Sequence, residues 1–187
     1  MEVGEDHRTP AVELVPLTAA AFRALADGHL AAADALSPVP LTPYFAGPAW
    51  TSVWRRRADQ LTASPQDADW VTRVVWDPAR RIAVGRAGFH GPPDERGMVE
   101  IGYAVDPAHR RQGYARAAFE QLLARAAREP AVRTVRVTIS PDDVPSQRLA
   151  LPYGFTRVGE QLDDEDGPEV VYELDAARLP QSLTSGA

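Results

Sequence analysis

The chain has 187 residues, which suits a single domain, since one domain takes roughly 100 to 200 residues. Hydrophobic residues at 44% and charged residues at 25% fit a globular protein rather than a disordered or fibrous one. A formal net charge of -6 argues against sequence-independent nucleic-acid binding, which needs a surplus of lysine and arginine, and the absence of cysteine excludes a thiol nucleophile, disulfides and thiolate metal sites.

Residues 12–17 read as a first strand, and Thr18 is placed to cap a helix over 19–26 that Gly28 ends. From 30 to 64 the pattern is irregular, with prolines at 38, 40, 43 and 48 and then a helix at about 50–61. Tyr44 and Phe45 fall in the same region, and Trp50 and Trp54, at helical spacing, read as core in preference to a substrate wall. Strands are expected at 69–76, 81–89 and 98–105, separated by Asp77-Pro78 and by the turn-rich run 91–97, which suggests an antiparallel meander.

On the third of these strands Val99, Ile101, Tyr103 and Val105 share one face, and Met98, Glu100, Gly102 and Ala104 share the other. Ala115, Ala118, Phe119, Leu122 and Ala126 then recur at helical spacing until Glu129-Pro130 ends the helix. Val135, Val137 and Ile139 alternate in the next strand, which the intervening helix allows to lie parallel to 98–105. A short helix at 145–151 follows, then strands at 155–162 and 169–174 forming a hairpin around the acidic turn Asp163 to Asp166. That turn reads as solvated, with attraction of a cationic amine as the alternative. The domain is therefore expected at 12–175, between flexible tails at 1–11 and 176–187.

Between strand and helix lies Arg110-Arg111-Gln112-Gly113-Tyr114-Ala115, with Arg116 following. The first turn of a helix carries unpaired N–H groups at the positive end of the macrodipole, and glycine lets a ligand come close to the backbone. Arginines there add donors for phosphate oxygens, so the segment predicts a polyphosphate site. Neither a P-loop nor a Gly-x-Gly-x-x-Gly fingerprint is present.

The run 110–115 resembles the pyrophosphate loop of the GNAT superfamily of N-acetyltransferases. Glu100-Ile101-Gly102-Tyr103 resembles the fourth strand of its ribosomal-protein N-terminal acetyltransferase branch, and Ser146-Gln147-Arg148 with Gly154-Phe155 resembles a later segment of that family. The resemblance implies an α/β (α+β) domain with a mixed, mostly antiparallel sheet of about seven strands flanked by about four helices. It also implies acetyl-CoA as co-substrate. Pyrophosphate would bind at Arg110, Arg111, Gln112, Gly113, Tyr114, Ala115 and Arg116, and the pantetheine arm along Ala104 and Val105, with Asp143 where relatives often carry an asparagine that bonds the pantetheine amides.

Amine acetylation needs a neutral amine, donors for an oxyanion and a proton for the departing thiolate. Glu100 is the candidate base, the alternative being a glutamate paired with a nearby arginine, and a backbone N–H near Val105 is the candidate oxyanion donor. The tyrosine that many relatives use as acid corresponds to Ala150, which leaves Ser146 and Tyr153 as candidates. The histidines at 7, 29, 90 and 109 lack metal spacing, so no metal is expected, and His90 beside Gly91 reads as a turn residue. The expected partner is a small-molecule amine or a protein N-terminus, with a non-catalytic acetyl-CoA or CoA-binding module as the alternative reading. No nucleic acid or membrane partner is expected, and a homodimer is left open. The acidic start at 1–6 lacks the marks of a signal peptide and no stretch approaches the roughly 20 apolar residues of a membrane span, so a cytoplasmic location is expected.

Overall fold

A computed structural model of the chain describes residues 9–163 and 167–179. Residues 1–8 and 180–187 of the expected tails, and Asp164 to Asp166 of the acidic turn, lie outside the described residues. Strand β1 (Glu13–Val15) leads into helix α1 (Ala19–Ala26), where the Thr18 hydroxyl accepts the Ala21 N–H at 3.2 Å and satisfies one of the orphan donors of the first turn. Helices α2 (Leu30–Leu36) and α3 (Thr51–Ala63) follow, then β2 (Arg73–Asp77), β3 (Ile82–Phe89) and β4 (Met98–Val105). Helix α4 (Tyr114–Arg128) crosses to β5 (Thr134–Ile139), α5 (Val144–Ala150) comes next, and β6 (Thr156–Asp163) and β7 (Gly167–Asp175) complete the sheet.

The seven strands form one sheet in the order β1-β2-β3-β4-β5-β7-β6. Strands β4 and β5 run parallel, as the intervening helix allows, and the other neighbouring pairs are antiparallel. One face packs on α4, where Phe119, Leu122 and Leu123 meet Val99, Ile101, Val135 and Val137. The opposite face of the β1–β3 half packs on α1 and α3 through Phe22, Leu25 and Trp54. There the Trp54 indole stacks on Phe22 with ring centres 5.7 Å apart and donates its N–H to the Phe45 carbonyl at 2.6 Å. The even-numbered face of β4 lies beyond that cover, as the floor of a cleft.

The elements depart from the sequence expectation most clearly at α2, at the start of β2 and after β7. The irregular stretch after Leu30 contains α2, so the described residues hold five α-helices; Ala33 is fully buried, and tertiary packing holds a helix too short to persist alone. Strand β2 begins at Arg73, because residues 65–69 close a 3-10 turn that the Trp70 N–H ends by donating to the Asp67 carbonyl. The domain continues past 175: the Ala176 N–H donates to the Arg133 carbonyl at 2.9 Å and Leu179 is buried in the α4-side core.

At Gly85 on β3 an added Cβ would lie 2.3 Å from the Ala104 carbonyl oxygen and 2.9 Å from the Val105 Cα on β4. Both neighbours are backbone and have nowhere to go. Replacing Gly85 with Ala is expected to destabilise the fold by about 1–3 kcal/mol through overpacking, read as a lower midpoint in denaturant unfolding.

Candidate active site

Strand β4 bonds to β5 only through the pairs Met98–Thr134, Val99–Val135 and Glu100–Arg136; beyond Glu100 the two strands separate. On its other side β4 stays paired with β3 to its end, and the bonds from the His90 N–H to the Glu100 carbonyl and from the Asp106 N–H to the Val84 carbonyl fix the phase of that ladder. Even-numbered residues of β4 therefore bond to β3, and the peptide groups of Tyr103 and Val105 face the opening.

The opening leads to a cleft of about 690 Å³ lined by Tyr103 to Val105, the start of α4, and Asp143, Ser146 and Leu149. Gly113 takes the N-cap position of α4 with φ of 87°, left-handed backbone that glycine adopts without strain, while Arg111 accepts a φ of 60°. No side chain caps this 15-residue helix, so the N–H groups of its first turn are presented to the cleft. The guanidinium of Arg110 is turned inward, donating through Nε to the Val105 carbonyl at 3.2 Å, and Arg116 lies exposed on the first turn. The donor set is cationic and rich in N–H groups, which fits a pyrophosphate.

A buried brace holds this helix start against the β2–β3 turn. The Tyr114 hydroxyl donates to Asp77 Oδ2 at 2.6 Å, and Arg80 Nη1 donates to the Tyr114 oxygen at 3.1 Å and to Gln112 Oε1 at 2.7 Å. Burial alone would raise the Asp77 pKa, but the Tyr114 hydroxyl, the Arg80 and Ala79 amides and the Arg80 charge hold the carboxyl below its ordinary value. The Tyr114 hydroxyl is thus committed to the brace, and the side-chain amide of Gln112 is engaged by Arg80.

A second cleft of about 500 Å³ opens on the even-numbered face of β4 between α3, β5 and the β6–β7 hairpin. The Glu100 carboxylate lies in its floor, where Thr138 on β5 donates a hydroxyl to Oε1 at 2.6 Å, bridging the two strands where they part. His90 stands above, its Nδ1 3.7 Å from Glu100 Oε1, too long for a hydrogen bond. Its ring is lodged against Gly102, where a Cβ would lie 2.7 Å from His90 Nε2. Desolvation pulls the His90 pKa below its ordinary value against the opposing Glu100 charge, with Arg57, Arg86 and Arg56 adding to the fall, so the imidazole is neutral at pH 7.

Tyr103, Ala104, Asp143 and Ser146 line both clefts and form the passage between them. Asp143 caps α5, accepting the Ser146 N–H at 3.1 Å and the Ser146 hydroxyl at 2.6 Å. Both its carboxylate oxygens are therefore used within the helix start. The Tyr103 hydroxyl is buried and makes no hydrogen bond of normal geometry among the described residues; desolvation raises its pKa, and nearby Ser146 pulls against that rise.

Of the candidates from sequence, Glu100, Ser146, Asp143, Ala104, Val105, Arg110, Arg111 and Gly113 to Arg116 lie at these two clefts, whereas Gln112 is not among their lining residues and accepts instead from Arg80. Tyr153 does not line either one: its ring packs against Phe119 and its hydroxyl donates to Glu120 Oε1 at 2.6 Å, both on α4, and burial followed by that bond raises its pKa. Ala150 is fully buried. Sequence reasoning missed Tyr103 as a group between the clefts, His90 as a cleft residue and His109, which lines the donor cleft with a buried Nδ1 lacking a partner among the described residues. Trp54 is core as expected, whereas Trp50 lines the second cleft. Among the described residues no group of three metal-ligating side chains is assembled, and no helix is long and apolar enough to cross a membrane.

A sheet parted beside an uncapped, glycine-led helix start defines an acyltransferase-type architecture. The sequence profile described as "Acetyltransferase (GNAT) domain" matches residues 12–156, and the chain belongs to that family. A segment of 72 residues is 39% identical to the uncharacterized N-acetyltransferase YjdG of Bacillus subtilis, covering 38% of this chain and 43% of that protein. Another of 86 residues is 38% identical to L-2,4-diaminobutyric acid acetyltransferase of Streptomyces anulatus, covering 46% of each. Less than half of either relative's length is therefore matched. The fold is also similar to that of Mycobacterium smegmatis RimJ, solved in complex with CoA-disulfide, with a TM-score of 0.65 at 20% identity over 94% of this chain and 87% of that one.

The brace under α4 makes a pH-dependent prediction. Removing the Tyr114 hydroxyl with Tyr114→Phe is expected to destabilise the protein by about 1–3 kcal/mol at neutral pH, since a buried carboxylate loses a donor. A carboxyl with a depressed folded pKa stabilises the fold above its unfolded value of about 3.9, and that contribution is lost as pH falls through the folded value. Denaturant unfolding across that range should show the gap between wild type and variant narrowing with acid; a constant gap would mean that the hydroxyl does not act through Asp77.

Proposed function

We propose that the protein is an acetyl-CoA-dependent N-acetyltransferase acting on a primary amine. The observation that carries this reading is the meeting of the two clefts at Tyr103, Ala104, Asp143 and Ser146, one cleft suited to a pyrophosphate and the other holding a carboxylate in its floor. The family membership, the CoA-disulfide in the RimJ structure and the acetyltransferase names of both matched relatives support it. Bound acetyl-CoA would supply the acetyl group as a thioester.

The first-turn amides of α4, with Arg110, Arg111 and Arg116, would hold the pyrophosphate, and the open edge of β4 at Val105, with Ala104 lining the passage, would hold the pantetheine arm. Glu100, oriented by Thr138, takes a proton from the acceptor ammonium directly or through one water; an amine like that of lysine, with a pKa near ~10.4, needs this step before it can attack. The Tyr103 and Val105 N–H groups that face the opening are donors for an oxygen gaining negative charge.

For the leaving thiolate we assign Tyr103 as the proton donor. Burial keeps its hydroxyl protonated, whereas the Ser146 hydroxyl already donates to Asp143 Oδ2. Ser146 then positions the tyrosine in place of donating to the thiolate itself, and the phenol compensates for Ala150 from the neighbouring strand.

Calorimetry with acetyl-CoA, followed by release of CoA thiol over a panel of amines and N-terminal peptides, tests the reading. Tight binding and turnover are expected; binding without turnover on any amine would make the chain a CoA-binding module of the same fold. Glu100→Gln and Tyr103→Phe are each expected to spare acetyl-CoA affinity and to lower kcat by about 10² to 10⁴. Each replacement should change the shape of the pH-rate profile. A wild-type profile in either variant removes that residue from its role.

A further inference from the structure

Charges in the acceptor cleft are sorted by wall. Arg56 and Arg57 on α3 and Arg86 on β3 line one side, Asp163 and Glu169 from the β6–β7 hairpin line the other, and Glu100 lies in the floor. The cationic side is built rather than incidental. Arg57 is 4% exposed, and its Nε donates to Thr72 Oγ1 at 3.2 Å while Nη1 donates to Gln60 Oε1 at 2.6 Å and to the His90 carbonyl at 2.8 Å. The Arg86 guanidinium lies over the Trp50 indole at 4.4 Å, so an aromatic face fixes its plane on the wall. Arg56, the next residue along α3, is exposed and makes no hydrogen bond or ion pair among the described residues.

Three guanidinium groups brought together repel one another. Desolvation and then the charges of Arg56 and Arg86 bring the Arg57 pKa down to about 10, with Glu100 as the opposing influence. An anion on this wall would relieve that repulsion. A polyamine would instead set further positive charge against it, and the first residue of a protein N-terminus offers an amide carbonyl where the wall presents cations.

We propose that the acceptor is a small amino acid, with its carboxylate held by Arg56 and Arg86 over the buried charge of Arg57 and its reactive amine directed to Glu100. This rests on the reading of the chain as an N-acetyltransferase. The wall selects the carboxylate, and the floor and the passage act on the amine, so one ligand satisfies both signs of charge in the cleft.

The test compares CoA release by the full chain for amino acids, including lysine and 2,4-diaminobutyrate, with their amides and decarboxylated amines. The carboxylate forms are expected to show kcat/KM at least about tenfold above both counterparts, the effect of one charge-assisted hydrogen bond. Arg56→Gln is expected to raise KM for the amino acids about tenfold and to shrink their advantage over the amides, with acetyl-CoA affinity measured by calorimetry as a check on folding. Equal rates on all three forms, or an Arg56→Gln effect of the same size on all three, would overturn the inference while leaving the acetyltransferase reading intact. Acetyl-CoA binding with no acetylation of any amine would overturn both.

Discussion

Beyond Glu100 and Arg136, β4 and β5 stop bonding to each other although both strands continue. Backbone polar groups are rarely left unpaired inside a fold, so such a gap needs firm support on either side. Here β4 is held by β3 through Val105, and β5 is held along its whole length by β7, from Thr134–Asp175 to Ile139–Val170. Each strand is tied to its outer neighbour, with α4 packed beneath. The gap is thus a property of two sheet halves, and the peptide edge it exposes is as rigid as the ladders behind it.

Everything of chemical interest is arranged around that edge. The uncapped α4 start lies at one end of it, braced by Asp77, Tyr114 and Arg80, and the Glu100–Thr138 bond closes the other. A chain with net charge -6 has collected its local positive charge on two walls, one at the helix start and one on α3 and β3. The first lies beside the backbone amides of a helix start, while the second faces an acidic wall across the cleft.

The donor half was legible in sequence because it is local. Strand 98–105 alternates cleanly, Gly113 marks the break before the helix, and the arginines sit within a few positions of it. The acceptor half joins residues far apart in the chain: Arg57 meets His90 across 33 positions and Glu100 meets Thr138 across 38, and no periodicity records such meetings. Tyr153 illustrates the same limit, since its neighbour in space is Glu120, which faces it from α4. Helix α2 escaped notice because seven residues carry too little pattern, and burial of Ala33 is a tertiary event.

The alternation of β4 has a consequence for how such a protein can change over time. Its odd-numbered side chains build the core and the passage toward the donor, and its even-numbered ones form the acceptor floor, so eight residues encode two interleaved messages read from opposite sides. Point replacements at 102 or 104 would reshape the second cleft and leave the core untouched. A single inserted residue would interchange the messages, sending Glu100 toward α4 and Val99 into the cleft. Variation in this strand is therefore confined to substitution, and its length is fixed more strictly than its composition.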